Sequence, residues 1–293
     1  MFPKWRRALA SRLNQKGAAA ADLGACSQAV RYYSWASKLD PEWAVPFYNL
    51  GLRAKYGGDW KASRQFNQRA ALLDPDDEAA WWNLGIAATA LGDWKEARRA
   101  WKTIGIELSG DEGECAIVAC TACVRIEPAN CGEVVWGERI DPARFVILNV
   151  PLPESGRRFR DVLLNDGAPN GTRVKDGVEV PVFDELEVWR PSQYSTFEVV
   201  LEGVTAEAEE SLVELCNERE LGVEDWSTIR FICQECSRGN PGPHDCKRLD
   251  TDAAERTYAI AAQSESEVMQ LLTEWQAGGG GRSCLGIETV LHA

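Results

Sequence analysis

The sequence predicts a multidomain chain: an all-α solenoid of helix pairs, then a small β-rich domain, then an α+β domain of order βαββαβ. Three observations predict it. Several residue types recur at a spacing of 34 in the first third. Helical periodicity stops after residue 111, where β-branched runs separated by turn signals begin. Residues 195–293 then alternate strand-like and helix-like segments.

The recurrence comes first. Gly17, Gly51 and Gly85 are 34 apart, as are Gly24, Gly58 and Gly92. Asp40-Pro41 returns as Asp74-Pro75, and Asp59-Trp60 as Asp93-Trp94. Small residues at the eighth and twentieth repeat positions let paired helices approach closely. The glycine at the fifteenth tolerates positive φ in the turn between them, and the proline follows the second helix. One such pair cannot bury its apolar face alone, whereas three stacked pairs can.

The second repeat reads Phe47-x2-Leu50-Gly51-x2-Ala54, and the third Trp81-x2-Leu84-Gly85-x2-Ala88 followed by Ala97-x3-Trp101. The first opens with Leu13-x2-Lys16-Gly17-x2-Ala20 and continues with Ala29-x3-Tyr33, Ala36 and Pro41. These segments resemble the tetratricopeptide repeat, a helix–turn–helix of 34 residues. Ser63 and Asn67 depart from its small and aromatic positions, and Ser109 stands where a proline would close the third repeat. Repeats are assigned to 10–43, 44–77 and 78–111, preceded by a basic N-terminal helix. Arg12 interrupts the apolar stretch there, and no cleavage pattern follows, so a secretory signal is not expected.

The resemblance implies a concave groove lined by the first helix of each repeat. Carried over, its lining includes Tyr48, Leu52, Lys55 and Tyr56 in the second repeat and Trp82, Ile86 and Thr89 in the third. It is apolar and aromatic. Two occupants fit such a face: a peptide from a partner protein, or the chain's own C-terminal region. The clamp that some relatives use for chaperone tails needs Lys and Asn at set positions. Only Asn49 is so placed, and that ligand is not expected.

Residues 112–194 hold the runs Cys123–Glu127, 133–136, Arg144–Val150, Asp161–Leu164 and Val178–Val188. Turn signals fall at Asn165-Asp166-Gly167, Pro169-Asn170-Gly171 and Lys175-Asp176-Gly177. A barrel or a sandwich is expected. The segments 139–144, 149–156 and 181–186 are similar to those of uncharacterised bacterial tetratricopeptide proteins, a resemblance that implies no activity.

In residues 195–293, strands are expected at Thr196–Leu201, Ser227–Cys233, Arg256–Ala262 and Cys284–Leu291. Helices are expected at Ala206–Leu221 and Ser264–Ala277, the latter opening with a Ser264–Glu267 capping box. The order βαββαβ suggests a ferredoxin-like sandwich, a fold that implies no function by itself.

Between the second and third of those strands lies Cys233-x2-Cys236-x7-His244-x-Cys246. Three thiolates and one imidazole make a full tetrahedral set for zinc, and a closed set of four points to a structural ion. An unmetallated loop with free thiols and a Cys-x-x-Cys redox pair are the alternatives. The redox reading is weakened because the pair follows a strand instead of opening a helix. Cys115-x4-Cys120-x2-Cys123-x7-Cys131 can be read as a second set of four zinc ligands, but Cys120 and Cys123 lie in an apolar, strand-like run, which favours small buried hydrophobes.

Charge bounds the partners. The 293 residues carry a formal net charge of −13. Residues 1–111 hold 16 Lys and Arg against 12 Asp and Glu, leaving 16 against 33 in the remainder. An acidic C-terminal region argues against nucleic acid as a partner. No apolar run approaches the roughly 20 residues of a membrane span. No phosphate loop, nucleophile elbow or metalloprotease helix is present, and His292 is poorly placed as a base. The expectation is a soluble, cytoplasmic, non-enzymatic adaptor binding a protein or peptide partner, with structural zinc. The alternative is a nucleic-acid-associated or small-molecule-sensing regulatory protein using the C-terminal domain.

Overall fold

The computed structural model describes residues 4–126, 132–228 and 255–293. The chain divides into two compact units. One comprises residues 1–118 with 140–143, the other residues 119–139 with 144–293.

The first unit opens with six helices: α1 (Lys4–Asp22), α2 (Cys26–Leu39), α3 (Ala44–Tyr56), α4 (Trp60–Leu73), α5 (Glu78–Ala90) and α6 (Trp94–Thr103). They pair as α1–α2, α3–α4 and α5–α6. Within each pair the repeat glycine admits a large side chain sixteen residues on. A Cβ built on Gly17 would meet the Tyr33 ring at 2.5 Å, one on Gly51 the Asn67 amide at 2.5 Å, and one on Gly85 the Trp101 ring at 2.5 Å. The turn glycines Gly24, Gly58 and Gly92 have φ of 73°, 71° and 67°, the region where only glycine is unstrained.

Caps follow the same register. Asp59 accepts from the Ala62 amide at 3.0 Å to open α4, and Asp93 accepts from the Glu96 amide at 3.3 Å to open α6. The equivalent residue before α2 is Ala25, whose backbone is similar but whose side chain cannot cap. After α6, Arg98 donates to the carbonyls of Gly110 (2.8 Å), Glu112 (3.0 Å), Gly113 (3.2 Å) and Glu114 (3.0 Å). The guanidinium, itself buried, ties the chain leaving the array to its last helix.

In the second unit, β1 (Cys120–Arg125), β2 (Val134–Arg139), β3 (Arg144–Ile147), β4 (Val162–Lys175) and β5 (Val178–Arg190) close a barrel in chain order. Closure is by parallel pairing of β1 with β5. Its core is Ala122, Val124, Ile126, Val135, Phe145, Ile147, Leu163 and Phe183. Two of the expected turns are absent. Asn165-Asp166-Gly167 and Pro169-Asn170-Gly171 lie inside β4, where the register against β5 shifts repeatedly. The extra residues bulge out of the ladder instead of reversing the chain. The reversal comes at Asp176 (φ 52°) and Gly177 (φ 78°), between β4 and β5.

The second sheet has the order β7-β8-β6-β9, formed by β6 (Ser195–Glu202), β7 (Gly222–Asp225), β8 (Glu255–Ala262) and β9 (Ser283–Leu291), all antiparallel. Helices α7 (Ala206–Glu218) and α8 (Glu265–Ala277) pack on it through Leu212, Cys216, Val268, Leu271, Leu272 and Trp275. Strand β7 precedes the expected strand Ser227–Cys233, of which residues 229–233 lie outside the described residues. Residues 226–228 form a short 3-10 turn, and the expected helix ends at Glu218. The backbone turns back at Glu220 (φ 58°), so Gly222 pairs with Ala261. A Cβ at Gly222 would press on Phe159 and Val150, so this edge position favours glycine. Barrel and sheet share a core of Val150, Phe159, Trp226, Ala259 and Ala261, with the Trp226 indole donating to the Val150 carbonyl at 3.3 Å.

Candidate functional site

The first helices of the repeats carry the residues assigned to the groove. Of the seven residues assigned to the groove, Lys55, Ile86 and Thr89 are buried. Tyr48, Leu52 and Trp82 are half-buried, and Tyr56 is exposed. The accessible part of the set is therefore Tyr48, Leu52, Tyr56 and Trp82. Trp82 is held edge-on against Trp101, ring centroids 5.1 Å apart, which fixes its rotamer through a fully buried neighbour. The Lys55 ammonium lies 4.6 Å from the Tyr56 centroid. Asn49, the lone residue placed like a clamp asparagine, donates to the Asn14 side chain at 3.0 Å.

These helix pairs have the 34-residue period, a close approach of the repeat glycine to a side chain sixteen residues on, and the left-handed glycine between helices. The six N-terminal helices resemble a tetratricopeptide array. No protein-family model matches the chain, and no curated protein matches it. Solved structures similar to it include the second tetratricopeptide domain of Spaghetti (RPAP3) bound to an HSP90 peptide. That chain is 22% identical over 33% of this one and 89% of its own length, with a TM-score of 0.32. The tetratricopeptide domain of Arabidopsis OM64 is 24% identical over 33% and 84%, with a TM-score of 0.31. MamA is 25% identical over 33% and 58%, with a TM-score of 0.31.

Of the metal set, Cys233, Cys236, His244 and Cys246 all lie outside the described residues, as does Cys131. Among the described residues, no three His, Cys, Asp or Glu side chains are grouped to hold an ion. Cys115 and Cys123 are buried, and burial pushes the Cys123 thiol up to about 12. Cys120 is exposed at the start of β1, which departs from the reading of a uniformly buried cluster. No described helix is long and apolar enough to cross a membrane.

The sequence reading missed a second feature, in the barrel-and-sheet unit. A cavity of about 420 Å³ is lined by Thr121, Trp136, Glu138, Asn149, Lys175 and Glu224, among others. Burial raises the Glu224 carboxyl to about 7, opposed by a hydrogen bond from the Val150 amide. Glu133 nearby is raised to about 7, again mainly by burial and further by the charge of Glu224. It accepts from the Leu152 amide at 3.1 Å. Nothing in a linear pattern marks these two glutamates, which are 91 residues apart, because the pairing is made by the packing of sheet on barrel.

Proposed function

We propose that the protein is a non-enzymatic interaction adaptor whose tetratricopeptide array holds a peptide segment of a partner protein. The observation that carries this reading is the set of accessible aromatic side chains, Tyr48, Tyr56 and Trp82, on the first helices of stacked repeats. Large rings held by packing are the residues that dominate interface energetics. The solved structure of a similar array bound to an HSP90 peptide supports the class of ligand. Affinity capture from the native host with wild-type chain and Trp82→Ala, each checked for helix content, tests it. A partner retained by the first and lost by the second supports the reading. Identical captures refute it.

Two finer readings belong with it. The sheet order β7-β8-β6-β9, with helices between the strands of each half, supports a ferredoxin-like assignment for residues 195–293. The set Cys233, Cys236, His244 and Cys246 is proposed to hold one structural zinc. The support is the donor set and the polar, Gly/Pro-rich composition of the segment, which has little apolar surface with which to fold by burial. Elemental analysis should give about one zinc per chain, and Cys236→Ser should lower it sharply. Metal-free protein with reduced thiols would overturn the assignment.

The alternative, a small-molecule-sensing role, is favoured by the cavity that Trp136 and Glu224 line. A metabolite library that raises the melting temperature of wild type but not of Trp136→Ala would support it. No stabilising compound would count against it.

A further inference from the structure

Helix α2 and the C-terminal end of α3 enclose a cavity of about 480 Å³ on the array, lined by Ser27, Val30, Arg31, Arg53 and Tyr56 with Cys26 and Gly57. No carboxylate lines it. Four other arginines of the array show the contrast: Arg7 pairs with Asp40, Arg64 with Asp93, Arg69 with Glu42 and Arg99 with Glu96. Arg31 and Arg53 have no carboxylate partner among the described residues. Each lies instead against a ring, Arg31 over Trp35 at 5.5 Å and Arg53 over Tyr56 at 5.4 Å. Trp35 (45% exposed), Tyr56 (56%) and Val30 (38%) keep substantial accessible surface. The nearby acids are directed elsewhere. Asp59 caps α4, and Asp22 is exposed and is not among the residues that line the cavity.

We propose that this cavity is a second docking site of the array, for an acidic peptide segment in which Asp or Glu flanks an apolar side chain. The occupant follows from complementarity. Two guanidiniums, each able to take a carboxylate through two parallel N–H bonds, flank an apolar floor of Val30 and the Tyr56 ring. Stacking on rings leaves the guanidinium edges available, because the face contacts the ring and the N–H groups point outward. A duplex or single-stranded nucleic acid fits less well, because the cavity is compact and the remainder of the chain is strongly acidic. The inference takes its ligand class, a peptide, from the adaptor reading. It shares helix α3 with the groove, where Tyr56 borders both, and adds helix α2, which the groove does not use.

The test uses the full chain and two labelled twelve-residue peptides. One carries Glu and Asp around a central Leu-Phe pair, and the other is its Gln and Asn counterpart. Fluorescence anisotropy should show the acidic peptide binding wild type, more weakly as salt is raised, and the amide peptide not binding. Arg31→Gln/Arg53→Gln should weaken binding by about tenfold or more. Ser27→Asp, which places a carboxylate in the cavity at the first turn of α2 where acids favour the helix, should weaken it without loss of fold. Trp82→Ala should bind the acidic peptide as wild type does while losing the groove partner, which separates failure of this site from failure of the groove. Equal binding of both peptides, no binding of the acidic one, or unchanged affinity in both cavity variants would overturn the proposal. So would a twelve-nucleotide single strand that binds wild type in place of the peptide.

Discussion

Gly85→Ala places one methyl group where the array has no room for it. The new Cβ would stand 2.5 Å from Trp101 Cη2, 2.6 Å from Cζ2 and 2.7 Å from Cζ3. Ordinary contact begins near 3.4 Å, so the ring must retreat by roughly 1 Å or the helices must part. The Trp101 ring is fully buried and braced by Trp82, so it has nowhere to retreat. Overpacking of this kind costs about 1–3 kcal/mol, while alanine in a helix interior is favoured over glycine by about 1 kcal/mol. Taking the upper part of the first range for so confined a ring gives a net loss of about 1–2 kcal/mol. Urea titration followed by helix ellipticity measures it. Trp101→Leu in the Gly85→Ala background should make room, so the glycine substitution should cost less there than in wild type. An unchanged or raised stability, or the same cost in both backgrounds, would refute the contact as the reason for the repeat glycine.

Two further predictions follow from the same structure. Ala25→Asp should stabilise the array by about 1 kcal/mol, read as a higher urea midpoint. Ala25 has φ −81° and ψ 61°, against −84° and 78° at Asp59 and −80° and 72° at Asp93, so a carboxylate there should cap α2; no change would show that geometry alone does not confer the cap. Glu224→Gln should alter the pH dependence of the barrel-and-sheet unit. The folded carboxyl titrates near 7, above its ordinary 4.5, so the folded state binds more protons between these values and stability falls as pH rises through that window. The amide should therefore raise the melting temperature at pH 8 and leave it nearly unchanged at pH 4.5, whereas an equal shift at both would contradict burial of the charge as the cause.

The array was legible because its signals are local and repeated. The glycine of each first helix and the large residue of each second helix are sixteen positions apart, and the left-handed glycine falls between them. The same holds for α8, where Ser264 and Glu267 make the capping box that their spacing predicts. Strand β4 was less legible. Asn-Asp-Gly and Pro-Asn-Gly are turn signals in isolation, but pairing with β5 along a closed barrel absorbs them as bulges. Strand β7 was not read from the sequence, because Gly222 looks like the glycine that ends a helix, and only pairing with β8 makes Gly222–Asp225 a strand. Repeat position assigns residues to the groove but says nothing of their exposure, since Lys55, Ile86 and Thr89 are buried by packing that the period does not encode. Arg98 binding four carbonyls has no sequence signature, because main-chain acceptors carry no side-chain identity.

The affinity of the full chain for the partner captured from its host, measured by isothermal titration calorimetry, decides whether the first-helix aromatics hold that partner. Wild type, Trp82→Ala and Tyr56→Ala are compared, with circular dichroism confirming the array in each; Tyr56 is exposed, so its truncation should leave the fold intact. The account predicts that loss of the Trp82 ring weakens binding by about tenfold or more, as expected for an aromatic hot spot, and that loss of the Tyr56 ring weakens it by less. Affinities equal to wild type in both variants would contradict the claim that the first-helix aromatics of the array hold the partner.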